Sequence, residues 1–527
     1  MATPAASALQ TDLFVVTHPV DSVPSLLHRA AIVTLRDRIP ELFAFDLRSL
    51  GLFRIGLGLL MLADCIYRAA DVEAFWSDAG IRPHGGHMVL AQAPWTPFQL
   101  TGEVWFPIAL LVGMACAALC IVTGWRWRIG VAGCWFVLQS MNLRNGLPYQ
   151  VADGVHVLLL MWSMFLPLGE RWVLGRGRPP NAPAHARSIV TVLFILQLLW
   201  IYIIPGSYKA VEPKWTQGSI LIEAAFIDAV ATGWLEALLH VPWLLELFAR
   251  MTPWFELFAP LLLLVPWKTG PLRTALVAVF VAFHVLGIGM MLELGLVPYT
   301  LALCWLPILP GWFWQRIGVE GTAGTAGTAG RTLGLPRLPS LAIGIVGFAS
   351  FVPSAELRLG ATAPIPGIVR KAWRQTGFQQ RRFSLWTRPA GNRHYMIAAR
   401  LADGRAVELH HRVPLDWENP PPAPRNNHWY KTFQKLQDLE WVRHAVAVWH
   451  VREWQRDHDE GPPIEHVEVV VRRTPWMAPT WWTSGQWEHG MPEPTEYRSL
   501  YRVRGHGDDL QLVRRHGEAD WTTPEPG

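Results

Sequence analysis

With 527 residues, 51% of them apolar, 29 tryptophans and only 17% charged side chains, the chain is too long and too apolar to be a single soluble domain. A formal charge of +5 does not point to nucleic acid, because the basic residues are scattered between apolar runs and form no block interleaved with aromatics. All five cysteines, Cys65, Cys116, Cys120, Cys134 and Cys304, lie inside apolar segments, which argues against a disulfide framework or a zinc site.

Residues 1–47 read as a polar cytoplasmic arm ending in an interfacial helix, with no removable leader, so that the first spanning helix acts as the insertion signal. That span, Gly51 to Arg68, carries Arg54 and Asp64 in apolar sequence. Ten residues apart, about 15 Å along a helix, they cannot pair with each other. Each needs a partner elsewhere, because an unpaired charge at membrane depth costs several kcal/mol. An ion pair that fixes helix packing and a role at a site are both open to them.

A polar loop follows from Asp71 to Glu103, with His84 and His87 in a glycine-rich setting that offers no further metal ligand. Further spans are expected at Trp105–Thr123, Ile129–Met141 and Val155–Leu168, the last preceded by Asp153 and carrying His156 as a helix-interface histidine. The fifth apolar run, Ile189–Ile204, delivers Lys209 to a membrane boundary. From Gly218 to Leu239 the pattern is amphipathic and reads as a surface helix roofing a cavity. Trp254–Trp267 and Ala275–Leu292 are the sixth and seventh spans, His284 lying at the centre of the latter, and Leu296–Trp314 is an eighth, kinked at its prolines.

Gly-Thr-Ala repeats make residues 321–330 a flexible linker, and Ser340–Val352 is a short ninth run. Beyond residue 355 the apolar runs stop. Segments Arg393–Ala399 and Ala406–His411 flank Asp403-Gly404 as a hairpin, His428–Asp457 reads as one long helix and Ile464–Arg472 as a strand. The expected fold class is therefore an all-α polytopic membrane bundle of eight or nine transmembrane helices, residues 48–355, with a small α+β extramembrane domain over 356–475 and a polar tail over 476–527. Lys and Arg near the membrane number fifteen on the side of Arg48, Arg126 and Arg171 against six on the side of Arg68, Arg144 and Lys209. This asymmetry places the N-terminus in the cytoplasm and, if the ninth run crosses, puts Lys209 and the C-terminal domain together on the outer side of a cell membrane.

Lys209 has two readings. Its stem can pack along apolar surface while its ammonium reaches the headgroups, or it can face the bundle interior, where loss of water favours the free amine and makes it a base.

The stretch Phe53-Arg-Ile-Gly-Leu-Gly-Leu-Leu-Met-Leu-Ala-Asp64, the Gly206-Ser-Tyr-Lys209 segment followed by Trp215 and Gly218, and the Phe283-His284 pair stand in an order that continues through Phe383 to Leu409, with its Asp403-Gly404-Arg405 turn. Together they resemble the vitamin K-dependent γ-carboxylase family and its bacterial relatives, the HTTM (horizontally transferred transmembrane) domain proteins, over residues 45–475. The resemblance implies a reaction in which a lysine amine deprotonates reduced vitamin K, a naphthoquinol. The quinol then reacts with oxygen on the way to an epoxide, and the resulting alkoxide removes the γ-proton of a glutamate in a protein substrate, to which CO2 adds. It makes Lys209 the base, with Lys214 as a rival, gives His284 a hydrogen bond to a quinone oxygen, and places Trp215, Arg54, Asp64 and Asp153 at the cofactor site. No metal is implied. Where the carboxylase has Asn-Asn-His-Ser, this chain reads Val151-Ala-Asp-Gly154, and its outer domain is shorter. Both departures bear on protein carboxylation, while quinol binding or oxidation stays within what the resemblance implies. The competing expectation is a non-catalytic membrane protein that binds a lipid or a partner, with Lys209 as an anchor.

Overall fold

The computed structural model describes residues 38–83, 95–175, 184–227, 229–319, 332–333, 337–352, 365–377, 393–417, 419–425, 427–473, 496–504, 511–514 and 517–518. His84, His87 and the Gly-Thr-Ala linker lie outside them. Most of the described chain is helical. Among the described residues, five helices are long and apolar enough to cross a membrane: α1 (Leu47–Ala69), α2 (Trp105–Thr123), α5 (Ile189–Lys209), α6 (Pro242–Phe258, extended by a 3-10 turn to Leu264) and α7 (Thr269–Ala282, continued through a π-helical turn to Met291). The helices α3 (Trp127–Arg144), α4 (Val151–Phe165), α8 (Val297–Leu303) and α9 (Arg337–Ala349) are shorter. Large apolar side chains such as Ile66, Val112, Leu119, Ile129 and Leu286 are left exposed on the outward faces, as expected of helices that meet lipid.

Small residues let the helices approach. A Cβ on Gly58 of α1 would lie 2.6 Å from Val122 and 2.9 Å from the Ala118 carbonyl of α2, so only glycine permits that crossing. The strands β1 (Phe45–Asp46), β2 (His185–Ala186) and β3 (Thr332–Leu333) join at one face of the bundle, where α1 and α5 begin. From there α9 runs parallel to α5: Gly344 lies beside Ile189, Gly347 beside Leu193, and Phe351 packs edge-on to Trp200. The short ninth run thus carries the chain from the face where α5 begins toward the face where it ends. At Gly347 a Cβ would fall 2.6 Å from Leu193 and 2.9 Å from Trp162. Gly347→Leu is expected to lift α9 off α5 and to cost about 1–3 kcal/mol, the usual range for overpacking. The check is a lower melting temperature in detergent with unchanged expression of the bundle.

Past α9, the amphipathic α10 (Gly367–Thr376) docks on α3, whose Gln139 donates to the Arg374 and Gln375 carbonyls. An antiparallel sheet then follows: β4 (Arg393–Leu401), β5 (Ala406–Glu408), β6 (Val413–Pro414), β7 (Ile464–Arg473), β8 (Glu496–Arg504), β9 (Gln511–Arg514) and β10 (Gly517–Glu518), in the order β10-β8-β7-β4-β5-β6 with β9 on β8. The β4–β5 hairpin turns at Asp403-Gly404 as its turn residues require. Between the hairpin and β7 lie α11 (Asn427–Phe433) and α12 (Glu440–Asp457), the latter packed on β7.

This domain stands on the face where α1 and α5 end. His428 Nδ1 and Trp429 Nε1 both meet the carboxylate of Asp71, just past α1, at 3.1 Å. Lys435 donates to the Gly146 and Leu147 carbonyls at 2.6 Å, and Ala423 packs with Ile227, Ala229 and Val230. Lys209 and the C-terminal domain therefore share one face.

Several sequence expectations are corrected. The expected surface helix over 218–239 is two short pieces, Ile220–Ala225 and Gly233–Leu238, whose apolar residues pack on α6. The sixth span begins at Pro242, since its first turns carry the exposed Glu246–Arg250 pair and read as polar. The long helix expected from His428 breaks into α11 and α12, and the expected polar tail contains β8, β9 and β10.

Candidate functional site

Lys209 is the last residue of α5 and does not reach outward. It is 4% exposed, its Nζ donates to Glu256 Oε1 of α6 at 2.6 Å, and it sits 4.8 Å from the centre of the Trp215 ring. Trp215 comes from the short helix Pro213–Thr216 that follows α5 and is itself buried. The other oxygen of Glu256, Oε2, is buried without a hydrogen-bond partner among the described residues. A buried carboxylate with one unused oxygen is an open acceptor.

Aromatic rings lead away from Glu256. Phe255 stacks on Phe280 at 4.6 Å and meets Phe283 at 5.0 Å, and Phe280 stacks on Trp305 at 3.9 Å. Trp305 Nε1 donates to the Tyr202 hydroxyl at 2.7 Å, and that hydroxyl meets His284 Nε2 at 2.7 Å. With its oxygen accepting from tryptophan, Tyr202 has one proton to give, and His284 Nε2 receives it. With the Tyr202 hydroxyl as donor, the remaining proton of a neutral His284 lies on Nδ1, which is buried and has no partner among the described residues. His284 sits in the π-helical turn Phe283–Ile288, a distortion that recurs where a helix must re-aim a side chain. Phe255 and Phe283, the sequence neighbours of Glu256 and His284, meet at 5.0 Å and join these groups into one neighbourhood. It combines a proton acceptor, a proton donor and a run of aromatic rings.

Asp64 and Asp153 belong to a second cluster. Arg68, one turn along α1, donates from Nε to Asp64 Oδ2 at 2.8 Å and forms a close ion pair with Asp153 of α4. The backbone N–H of Gln150 donates to Asp153 Oδ2 at 2.6 Å, and His156 Nε2 meets Thr300 Oγ1 at 2.7 Å. Asp64, Asp153 and His156 offer ligand atoms within 4.8 Å of one another. The Arg68 guanidinium, however, already bridges both carboxylates and supplies the positive charge a metal would bring, so the residues present fit an ion-pair network better than a metal.

Arg54 stands apart from both clusters. Its guanidinium donates to the Val122 carbonyl at 2.7 Å and the Trp172 carbonyl at 2.8 Å, closing the C-terminal end of α2, where helix carbonyls lack internal partners. The rival Lys214 pairs with Glu223 and leaves 40% of its side chain exposed, against 5% for Lys209.

Of the residues singled out in the sequence, the structure brings together Lys209, Trp215 and His284, joins Asp64 to Asp153 through Arg68, and uses Arg54 as a helix clasp. Glu256, Tyr202 and Trp305 were missed. The available signal for Glu256 was an acid inside an apolar run, which needs a partner as Arg54 does. Among known proteins, no family model, no curated protein and no solved structure matches the chain.

Proposed function

We propose that the protein is a membrane enzyme that binds a quinol between the Lys209–Glu256 pair and His284, with Lys209 as the base that deprotonates it. The observation that carries this reading is the position of Lys209, a span-terminal lysine held 4% exposed against a carboxylate and a tryptophan instead of in the headgroup layer. The acceptor on Glu256 and the donor on His284 are of the kinds that the two oxygens of an aromatic diol would use, and the rings of Phe280, Phe283 and Trp305 suit its planar faces. The resemblance to the vitamin K-dependent γ-carboxylase and HTTM proteins supports reduced vitamin K and oxygen as reactants. A glutamate-containing protein is the further substrate it implies. In this reading α1 to α9 make nine crossings of the cell membrane, with the N-terminus cytoplasmic and the C-terminal domain outside over the mouth of the site.

A second reading keeps the fold and drops the chemistry. The Lys209–Glu256 pair is also a complete buried ion pair, as a lipid- or partner-binding protein of this architecture would use to join α5 to α6. Turnover decides between them. Purified protein in lipid nanodiscs, given reduced vitamin K and oxygen, is expected to form the epoxide. Lys209→Arg is expected to lower the rate at least a hundredfold, since a general base contributes about 10²–10⁴ and a guanidinium cannot give up its proton. Epoxide formation at the wild-type rate in Lys209→Arg eliminates the lysine-base mechanism.

A further inference from the structure

We propose that Glu256 is the final holder of the substrate proton, and that the base is the Lys209–Glu256 pair acting as one unit. The inference rests on the quinol reading above and deepens it. A lysine at 2.6 Å from a carboxylate is not a free amine: in the ionised pair every lone pair on Nζ is occupied by hydrogen. Burial, however, penalises both charges of the pair, at 5% side-chain exposure each. Moving one proton along the Nζ···Oε1 hydrogen bond converts two buried charges into none, which brings the neutral amine and carboxylic acid within reach of the ionised pair. Oε2, without a hydrogen-bond partner among the described residues, leaves this carboxylate an incompletely solvated anion.

The proton balance is then closed. The ammonium of Lys209 passes a proton to Glu256 Oε1 and becomes an amine. The substrate's O–H bond breaks, its proton goes to the Nζ lone pair, and its electron pair stays on oxygen. The products are an aryloxide, the Lys209 ammonium and a protonated Glu256, so the net charge of the site is zero before and after. At no stage is the ammonium without an anion beside it, because the aryloxide takes over from the carboxylate as its counterion. No charge has to enter or leave the dry site from water. Glu256 is in this scheme a positioning and proton-holding residue that acts through Lys209.

The test is an anaerobic titration of the full-length protein in nanodiscs with reduced vitamin K. The red-shifted absorption of the naphtholate is read together with the infrared band of a protonated carboxyl group. Wild-type protein is expected to gain both signals in equal proportion. Glu256→Gln is expected to bind the quinol but form at least tenfold less naphtholate and no new carboxyl band, while Glu256→Asp, which keeps the acid and shortens its reach, recovers part of both. Should Glu256→Gln fail to fold, Glu256→Asp decides: naphtholate equal to wild type without the carboxyl band overturns the proposal. Naphtholate at the wild-type level in a folded Glu256→Gln protein also overturns it, leaving Lys209 as a base on its own. If wild-type protein binds no quinol, the functional reading falls and this inference falls with it.

Discussion

Arg68→Met is expected to be the most damaging single substitution in the bundle, lowering stability by about 3–5 kcal/mol, the usual cost of leaving buried charges without their partner. Against a total stability of about 5–15 kcal/mol, this is enough to abolish folded protein at growth temperature. Arg68 is 2% exposed and is the cation between Asp64 and Asp153, which are 3% and 6% exposed. Its guanidinium also lies 5.3 Å from the centre of the Trp76 ring. Removing it strands two carboxylates on α1 and α4, beneath the C-terminal domain. The cause is testable by rescue: Asp64→Asn and Asp153→Asn added to Arg68→Met remove the stranded charges. The triple variant is expected to return to within about 1–2 kcal/mol of wild type, since uncharged groups of similar shape can replace a buried ion pair at little cost. Thermal unfolding in detergent and the folded fraction on size exclusion measure both arms. A triple variant no more stable than Arg68→Met would show that the cluster matters through shape and not charge.

How far the sequence could be read follows from where the information lay. Trp105–Thr123 is recovered residue for residue as α2 because it is uniformly apolar and stops at Gly124, which takes the left-handed conformation that ends helices. The α11–α12 break was illegible. Residues 434–439 contain no glycine or proline, and what interrupts the helix is tertiary, Lys435 reaching the Gly146 and Leu147 carbonyls of another segment. At the candidate site, Lys209 and His284 stand out because polar groups are conspicuous in apolar runs. Their partners do not, because Glu256 is 47 residues from Lys209 and Tyr202 is 82 residues from His284. Arg68 shows the other kind of miss. Periodicity makes it a topology marker at a span's end, and only the approach of α4 turns it into the centre of an ion-pair network.

Acid is expected to unfold the C-terminal domain before the bundle. Around the β4–β5 hairpin and α12, His394 and His450 are buried and His410 is half-buried beside them. Burial pushes His394 down to about 4, His410 down to about 3, with the neighbouring His450 adding to it, and His450 down to about 4 against a backbone bond to Val446. His410 Nδ1 meets His450 Nε2 at 3.0 Å and His450 Nδ1 donates to the Val446 carbonyl at 2.8 Å, a relay that two charged rings cannot make, because one of the facing nitrogens must accept. The charged groups facing these rings are Glu408, His411, Arg412, Arg472 and Asp71.

Each histidine binds a proton in the unfolded chain below about pH 6.5 and refuses it in the folded domain, so stability falls as pH drops through the interval from about 6.5 to about 4. The slope is about 1.4 kcal/mol per pH unit for each histidine, or roughly 2 kcal/mol each at pH 5 as an upper figure. Glu408 works in the same direction. Although burial pushes it up, the bonds from His411 and from the Ile397 and His411 amides hold it below the usual carboxylate range, so its contribution is lost as pH falls further. Hydrogen exchange followed by mass spectrometry is expected to show the amides of α12 and β7 losing protection between pH 7 and pH 5 while those of α1 and α5 keep theirs. His450→Gln, which retains a hydrogen-bonding side chain that cannot titrate, is expected to remove about a third of the pH slope. Equal slopes in both proteins would show that the acid sensitivity resides elsewhere.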